Sequence, residues 1–468
     1  MTTEGIDRSW ACNVFVIKHV KAATNLRKRH PFFLKFLKLG FTILLFMPVM
    51  TKGKHFIFEC SCCGVQSGFG TQLMYLCNAC SKDNKSGEPP RGVMKVLYDY
   101  HRLRHKPKPF KYLKNRGFID LLPISSLSSL PPLRTGRTPL YTFNKLDGKL
   151  LPAPLHIKDD SQNPTWSFKD RASALVSAFA AEHGLSTIVV ASTGNAGSSM
   201  AGICASMKQR AVVVLPDSAP EAKLRQVVMY GAKALPIKGT YDQAFELSIE
   251  LSNQFGWYNR NTAYNPLTIE GKKTVSFELF DQLPELLNGP VFVPVGDGVI
   301  LSGVYKGFDE LKSLGVITEV PKVVAVQAAQ SDNLVRNLHQ PDFISIRSTT
   351  IADSISVDAP RNFYMARQFI HAFDGDAITV SDNDILQASA LLAQNTGLFA
   401  EPAAAAAFAG FLSYLHGNKL RPGDNPVVLL TGSGLKDLKS IAKGLTLPES
   451  VHPDFRSVER TLEKSGYL

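Results

Sequence analysis

From Pro152 onward the chain repeats one pattern. A short, unbroken run of Val, Ile and Leu is followed by a longer stretch whose apolar residues recur every three or four positions. The runs are STIVVAS (186–192), AVVVLP (211–216), ALPIKG (234–239), PVFVPVG (290–296), KVVAVQA (322–328) and PVVLLTG (426–432). A strand with one face in water alternates polar and apolar residues. These runs do not alternate, so both faces of their sheets must be covered. Helical segments such as SSMAGICASMKQ (198–209) and EAKLRQVVMYGAKA (221–234) supply the cover. The fold class expected is α/β, built on parallel sheets that bind ligands beyond the carboxyl ends of their strands. At 468 residues, 44% hydrophobic, the chain exceeds one small core, and two or more domains are expected.

Three of the strand ends run into glycine-rich turns that carry hydroxyl groups: ASTGNAGSS (191–199), VGDGVILSG (295–303) and TGSGLKD (431–437). One such turn says little, because Gly is an ordinary turn residue. Three of them, each at a strand end, suggest loops converging on one site. Gly lets a backbone approach a ligand closely, and successive N–H groups at a helix start can hold a phosphate. Neither GxxxxGK[ST] nor a clean GxGxxG is present, so the phosphate is not expected to be that of ATP or NAD.

Seven cysteines occur, and five of them fall between Cys60 and Cys80. Cys60 and Cys63 form one CxxC pair, followed by Gly64, and Cys77 and Cys80 form a second. Two thiolate pairs joined by a hairpin-length loop can give Zn²⁺ four tetrahedral sulfur ligands, a closed and therefore structural site. An odd, clustered count points to metal in a reducing compartment rather than to disulfides, and a cytoplasmic location is expected. Cys62 could compete as a ligand. The bland alternative is a set of unligated thiols.

The net charge of +12 resembles a nucleic-acid signal, but it is unevenly placed. Residues 1–54 and 91–116 each carry +8, which leaves the remainder at −4. A basic binding face across the fold is not expected. The 91–116 stretch reads as a linker and solvated helix face, and neither a nucleic-acid nor a membrane partner is expected. The apolar run FTILLFMPVM (41–50) is shorter than the ~20 residues of a membrane span. Residues 1–49 are expected to be a basic and apolar tail outside the fold, with translation beginning at Met50.

NPTWSFKDR (163–171) places one Lys between Phe168 and Asp170. Taken with TGRTPLY (135–141), STGNAGSS (192–199), NPLTIEGKKTVSFEL (265–279), PVGDGVILSGVYKGF (294–308), EPAAAAAFAG (401–410) and LLTGSGLKD (429–437), it resembles the fold-type II pyridoxal-phosphate enzymes. Among these the chain is most similar to the threonine synthase family, over roughly residues 130–440. The cysteine-rich front also resembles that of many threonine synthases.

The resemblance implies two parallel-sheet lobes with pyridoxal 5'-phosphate in the cleft between them, preceded by a small zinc ribbon. It implies that Lys169 bonds the cofactor and that Asn195 hydrogen-bonds its ring oxygen. Ser192 and Thr193 would hold the substrate carboxylate. Gly296, Asp297, Gly298, Val299 and Ile300 would wrap the cofactor phosphate. Thr431 or Ser433 would face the pyridine nitrogen, unless these hydroxyls merely cap the helix near Leu435. Arg171 would bind substrate or lock the motif in an ion pair. Cys60, Cys63, Cys77 and Cys80 would hold structural Zn²⁺.

The implied reaction converts O-phospho-L-homoserine and water to L-threonine and phosphate. A serine/threonine dehydratase and a cysteate synthase-like β-replacement enzyme are the alternatives. A nucleic-acid-binding ribbon on an inactive body is a more distant one. Trp166 and Ala172 stand where Gly is usual in the motif, which opens the question of substrate. Asp297 stands where Asn is frequent, a carboxylate beside a phosphate. The expected segments are a ribbon over 50–88, a basic linker over 89–134 and a catalytic region over 135–468 with a smaller lobe at roughly 180–270. A homodimer is allowed by this reading and not required by it.

Overall fold

The structure is a computed structural model that describes residues 55–68, 74–219, 221–284, 289–442 and 445–468. The expectations for residues 1–49 lie outside the described residues.

Thirteen strands are named among the described residues: β1 (Phe56–Cys60), β2 (Gln66–Ser67), β3 (Met94–Tyr98), β4 (Leu140–Leu146), β5 (Lys149–Asp159), β6 (Thr187–Ala191), β7 (Arg210–Pro216), β8 (Lys233–Ile237), β9 (Tyr258–Asn259), β10 (Val291–Pro294), β11 (Val323–Ala328), β12 (Asp376–Val380) and β13 (Val427–Leu430). They form three sheets, ordered β2-β1-β3, β12-β11-β10-β13-β5-β4 and β8-β7-β6-β9. The four-stranded sheet is parallel throughout. The six-stranded sheet is parallel except for β4, which runs antiparallel to β5. Every residue of β6, β10, β11 and β13 is buried, as unbroken apolar runs require.

The α/β class is as expected, but two parts of the large sheet were not visible as unbroken runs. The β4–β5 hairpin is half exposed and turns at Asp147-Gly148, both in the left-handed region as a two-residue hairpin turn demands. Edge strand β12 buries only Val380.

Seven helices carry the argument: α1 (Lys169–Glu182), α2 (Asn195–Ser206), α3 (Glu221–Met229), α4 (Leu267–Lys272), α5 (Val299–Ser313), α6 (Phe363–Ala372) and α7 (Pro402–His416). Helices α1, α2, α5 and α7 start directly after or beside the glycine-rich turns, so their N-termini point at one region. Helix α7 contains AAAAA, which is buried throughout and lets it lie close on the large sheet. No helix among the described residues is long and apolar enough to cross a membrane.

The ribbon sheet is tied to the body by a knot of buried charge. Lys273 bridges Glu270 (2.5 Å) and Glu310 (2.8 Å), and Lys306 bridges the same two carboxylates. The Tyr98 hydroxyl, from β3, donates to Glu270 at 2.7 Å, and Tyr100 donates to Glu310 at 3.0 Å. Two acids and two bases cancel, so no net charge is left in the dry interior. The nearby lysines hold Glu270 below the usual carboxylate range despite its burial. The basic 91–116 stretch folds into short helices whose charges pair at the surface, as in Lys114–Asp281 and Arg116–Asp120.

Helix α4 crosses α1 at Gly271. A Cβ there would lie 2.2 Å from the Arg171 carbonyl oxygen and 2.7 Å from the Ala172 Cα. Both are backbone atoms and cannot rotate away. Gly271→Ala should therefore destabilise the protein by about 1–3 kcal/mol or more, read as a lowered denaturant midpoint. An unchanged midpoint would show that the two helices are not in fixed contact.

Candidate active site

The lysine motif is held by main-chain hydrogen bonds from segments far along the chain. Phe168 N–H donates to the Thr431 carbonyl (2.9 Å), and Ser433 N–H donates to the Trp166 carbonyl (3.1 Å). Glu401 N–H donates to Gly432 O (3.1 Å), and Gly434 N–H to Phe399 O (2.9 Å). The loops at 166–168, 399–401 and 431–434 are thus stitched into one surface, with Lys169 at the head of α1. Asp170 steadies the turn before it by accepting from Thr165 N–H (2.7 Å) and Oγ1 (2.5 Å).

Lys169 lines a small cavity with Thr262, residues 294–301, Ser354 and Ile355. Loss of water pushes its ammonium down to about 8, helped by the Arg260 cation and opposed by Asp297 and Glu401. An amine in that range is roughly one-tenth neutral at pH 7, against well under a hundredth for an ordinary lysine, and the neutral form is the nucleophile.

The phosphate-loop candidates line this same cavity. Gly298 has φ +83° and sits immediately before α5, whose first N–H groups have no preceding turn to satisfy them. At Gly296 a Cβ would meet the Ile355 Cα at 2.9 Å, so the loop can pass only as glycine. Asp297 is turned aside: its Oδ1 accepts from Arg361 N–H (3.1 Å) and its carbonyl from Asn362 N–H (2.9 Å). The carboxylate fastens the loop to the start of α6. Burial still pushes it above the usual range.

Asn195 is buried at the start of α2. Its Nδ2 donates to Glu401 Oε1 (2.7 Å) and Ser354 Oγ (3.3 Å), and its Oδ1 has no partner. A Cβ on Gly432 would lie 2.4 Å from Glu401 Oε1 and 3.3 Å from Asn195 Nδ2, so Gly432 is what keeps this corner open. Ser192 Oγ accepts from Gly194 N–H (3.1 Å) and Gly197 N–H (2.9 Å), so it shapes its own loop, and Thr193 is half-buried beside it. Ser433 Oγ accepts from Leu435 N–H (3.3 Å), the capping alternative, while Thr431 contributes its carbonyl to Phe168.

Arg171 does not join the cleft. Its guanidinium donates to Asp160 (2.5 and 2.9 Å), Glu278 (2.7 and 2.8 Å), Thr274 (2.9 Å) and Thr138 (3.3 Å). All its donors are spent, so of the two expected roles it takes the ion-pair one. The Glu278 carboxylate between Arg171 and Lys158 is held down at about 2.

Glu401, Lys272 and Lys436 carried no sequence signal beyond lying inside quoted motifs, and Arg260 lies outside them. Glu401 faces Asn195; burial pushes it up, against the pull of Lys223 and Lys436. Arg260 is fully buried with its Nη1 unpartnered, and burial lowers it to about 10. Lys272 is fully buried and pushed well below the usual lysine range. Lys436 is lowered to about 8 by burial, and donates to Thr165 O, Ser198 Oγ and Gln226 Oε1. Lysines usually sit on wet faces, and only packing reveals those that do not. The unpartnered Arg260 Nη1, the single hydroxyl partner of Lys272 and a glycine cradle at a helix start fit an anionic, phosphate-bearing cofactor.

A second cluster lies in the ribbon. The Sγ atoms of Cys60, Cys63, Cys77 and Cys80 all fall within 4.8 Å of one another, and Cys62 is not among them. Gly64 takes φ +72° at the knuckle. Gln368 Nε2, on α6, donates to Ser61 O (3.0 Å) and ties the knuckle to the body.

Trp166 has φ +62° and is 50% exposed, and it is not among the residues lining the Lys169 cavity. The position asks for the left-handed backbone that Gly adopts freely and that costs other residues roughly 1–2 kcal/mol. Ala172 is buried against α4, beside Gly271. Trp166→Gly should thus hold or raise stability, by up to about 1 kcal/mol, with cofactor content unchanged. A clear fall in the thermal midpoint or in bound cofactor would show that the ring matters to the site.

Residues 132–432 match the family described as pyridoxal-phosphate dependent enzyme. The threonine synthase of Methanocaldococcus jannaschii is 33% identical over 80% of this chain and 94% of its own length. That of Methanosarcina acetivorans is 30% identical over 86% and 98%. Among solved structures, the T.th. threonine deaminase superposes with a TM-score of 0.55 at 28% identity, covering 64% of this chain and 92% of its own. Isoform 2 of threonine deaminase from Solanum lycopersicum gives a TM-score of 0.58 at 21% identity, over 84% and 96%. With its cavity lysine, glycine cradle and buried cations, the chain belongs to the threonine synthase family of pyridoxal-phosphate-dependent enzymes.

Proposed function

We propose that the protein converts O-phospho-L-homoserine and water to L-threonine and phosphate. The observation that carries this reading is the buried Lys169 cavity at the glycine loop, with the Arg260 and Lys272 cations beside it. Buried cations beside a glycine loop suit a cofactor and substrate that both bear phosphate. The similarity to threonine synthases over most of the chain supports the same substrate.

Pyridoxal phosphate, when bound, supplies an electron sink next to the substrate's α carbon. The residues of this chain do the rest. Lys169, lowered to about 8, is the base placed to take protons from the α and β carbons and to return them at the α and γ carbons. Asn195 remains the proposed partner of the cofactor's ring oxygen, its amide held in place by Glu401 and Ser354. The turn at Ser192 and Thr193 is the proposed seat of the substrate carboxylate. Thr431 and Ser433 remain the proposed partners of the pyridine nitrogen. Phosphate leaves from the γ carbon and water adds at the β carbon.

The dehydratase and β-replacement alternatives rest on Trp166 and Ala172. One lies off the cavity and the other packs against α4, so neither residue supports them. Purified protein should release phosphate from O-phosphohomoserine in step with threonine formed. Faster turnover of O-phosphoserine or threonine would replace this reading with one of the alternatives. Lys169→Ala should abolish both the cofactor's protein-bound visible absorbance and turnover. With the Lys169 ammonium lowered to about 8, its neutral fraction grows as pH rises. Uptake of pyridoxal phosphate by the apo-protein should therefore accelerate through about pH 8 and level off above it. A pH-independent rate would remove Lys169 as the reacting amine.

In the ribbon, the four clustered sulfurs support a structural Zn²⁺, because tetrahedral thiolate ligands need that closeness. Metal analysis should find one zinc per chain, and Cys60→Ser or Cys77→Ser should lower it. Full zinc content in both variants would exclude this ligand set. The proposed setting is a cytoplasmic enzyme acting on a small phosphorylated amino acid.

A further inference from the structure

Lys272 ends helix α4 and is wholly buried, yet among the described residues its ammonium makes one hydrogen bond, to Thr262 Oγ1 at 3.2 Å. An ammonium has three donors, and a neutral hydroxyl cannot balance its charge. The charged groups that face it are Arg260, Lys169 and Asp297. Two of these are cations, and the Asp297 carboxylate accepts from the Arg361 main chain. Thr262 itself lines the cavity shared by Lys169 and the loop at 296–301. Helix α4 also touches α5 here: a Cβ on Gly303 would lie 2.7 Å from the Lys272 Cβ. Lys272 is thus one hydroxyl removed from the cavity at the head of α5, where Lys272, Arg260 and Lys169 outnumber Asp297, the one carboxylate that faces it.

We propose that Lys272 is the buried counter-charge for the phosphate of pyridoxal phosphate, acting with Arg260 behind the glycine loop. The proposal rests on the family assignment and not on which substrate is turned over. It also accounts for a carboxylate in a phosphate loop. A phosphate ester carries roughly −1.5 to −2 near neutral pH, and Asp297 adds to it. A glycine loop and one helix N-terminus would hold that total poorly. Lys272 and Arg260 set two positive charges against that total once the phosphate is seated. The same pairing returns the Lys272 ammonium toward its charged form, which explains how so buried a lysine can be tolerated.

The test compares the affinity of the apo-protein for pyridoxal phosphate with its affinity for pyridoxal, which lacks the phosphate. Lys272→Met should shrink the advantage conferred by the phosphate by roughly 10- to 100-fold, the loss expected for a hydrogen bond to a charged group in a dry site. Lys272→Arg should keep most of it. Undiminished preference for pyridoxal phosphate in a folded Lys272→Met protein overturns the proposal. So does unchanged preference combined with weaker inhibition of the loaded enzyme by inorganic phosphate, which would assign the cation to the substrate's phosphate instead. If Lys272→Met does not fold, the unsubstituted apo-protein decides. Inorganic phosphate alone should raise its unfolding temperature and slow cofactor uptake, and no effect of phosphate on either refutes the site. Failure of the family assignment looks different, because the unsubstituted protein would then bind no pyridoxal phosphate.

Discussion

A lysine works as a nucleophile only if it is kept from water and held still, and both conditions fall on the few residues before Lys169. The backbone of 166–168 is fastened by hydrogen bonds to residues 431 and 433. That second segment is fastened in turn to 399–401. Once these bonds form, Lys169 has one place to be, and the head of α1 fixes its direction. The glycines at 296, 298 and 432 then leave room for a ligand where any side chain would fill the space. The rest of the body, two sheets and their covering helices, brings these loops to one level.

Charge is managed differently in the two halves of helix α4 and its continuation. Glu270 and Lys273 belong to a closed knot with Lys306, Glu310 and two tyrosines, where each charge meets its opposite. Lys272, between them in sequence, faces the other way and has no such partner. A helix turns about 100° per residue, so adjacent lysines can serve opposite purposes. One stabilises the joint with the ribbon, and its neighbour is left for the cleft. Arg171 and Asp160 make the same contrast with Lys169, being paired structural charges close to an unpaired reactive one.

Much of this was legible in the sequence because burial on both faces leaves a compositional mark. The runs at 187–191, 211–216, 291–294, 323–328 and 427–430 are strands where the apolar residues said they would be. The glycine-rich turns were legible for the same reason: close approach excludes side chains. The β4–β5 hairpin was not, since half-exposed strands mix polar and apolar residues in short, irregular order. Arg171 could be assigned between two roles only by seeing Asp160 and Glu278 beside it. Lys272, Arg260, Lys436 and Glu401 were illegible as site residues. A charged residue's letter does not tell whether it faces water, and these four are exceptions to the usual answer. Trp166 misled in the opposite sense. It marked a backbone requirement for positive φ, not a pocket wall.

The stitch between Phe168 and Thr431 joins residues that a ribosome makes far apart in time. At ~5–20 residues per second, the partner of the lysine motif emerges on the order of 15–50 s after it. Through that interval the four-stranded sheet and α1 can form from what has been made, but the surface that holds Lys169 cannot. The reactive lysine is therefore born exposed and fully protonated, and it acquires its chemistry only near the end of synthesis. Pairing at such sequence separation also slows folding, because a large loop must close before the bond returns anything. Late assembly keeps an amine that reacts with aldehydes inert until a cleft exists to choose which aldehyde it meets.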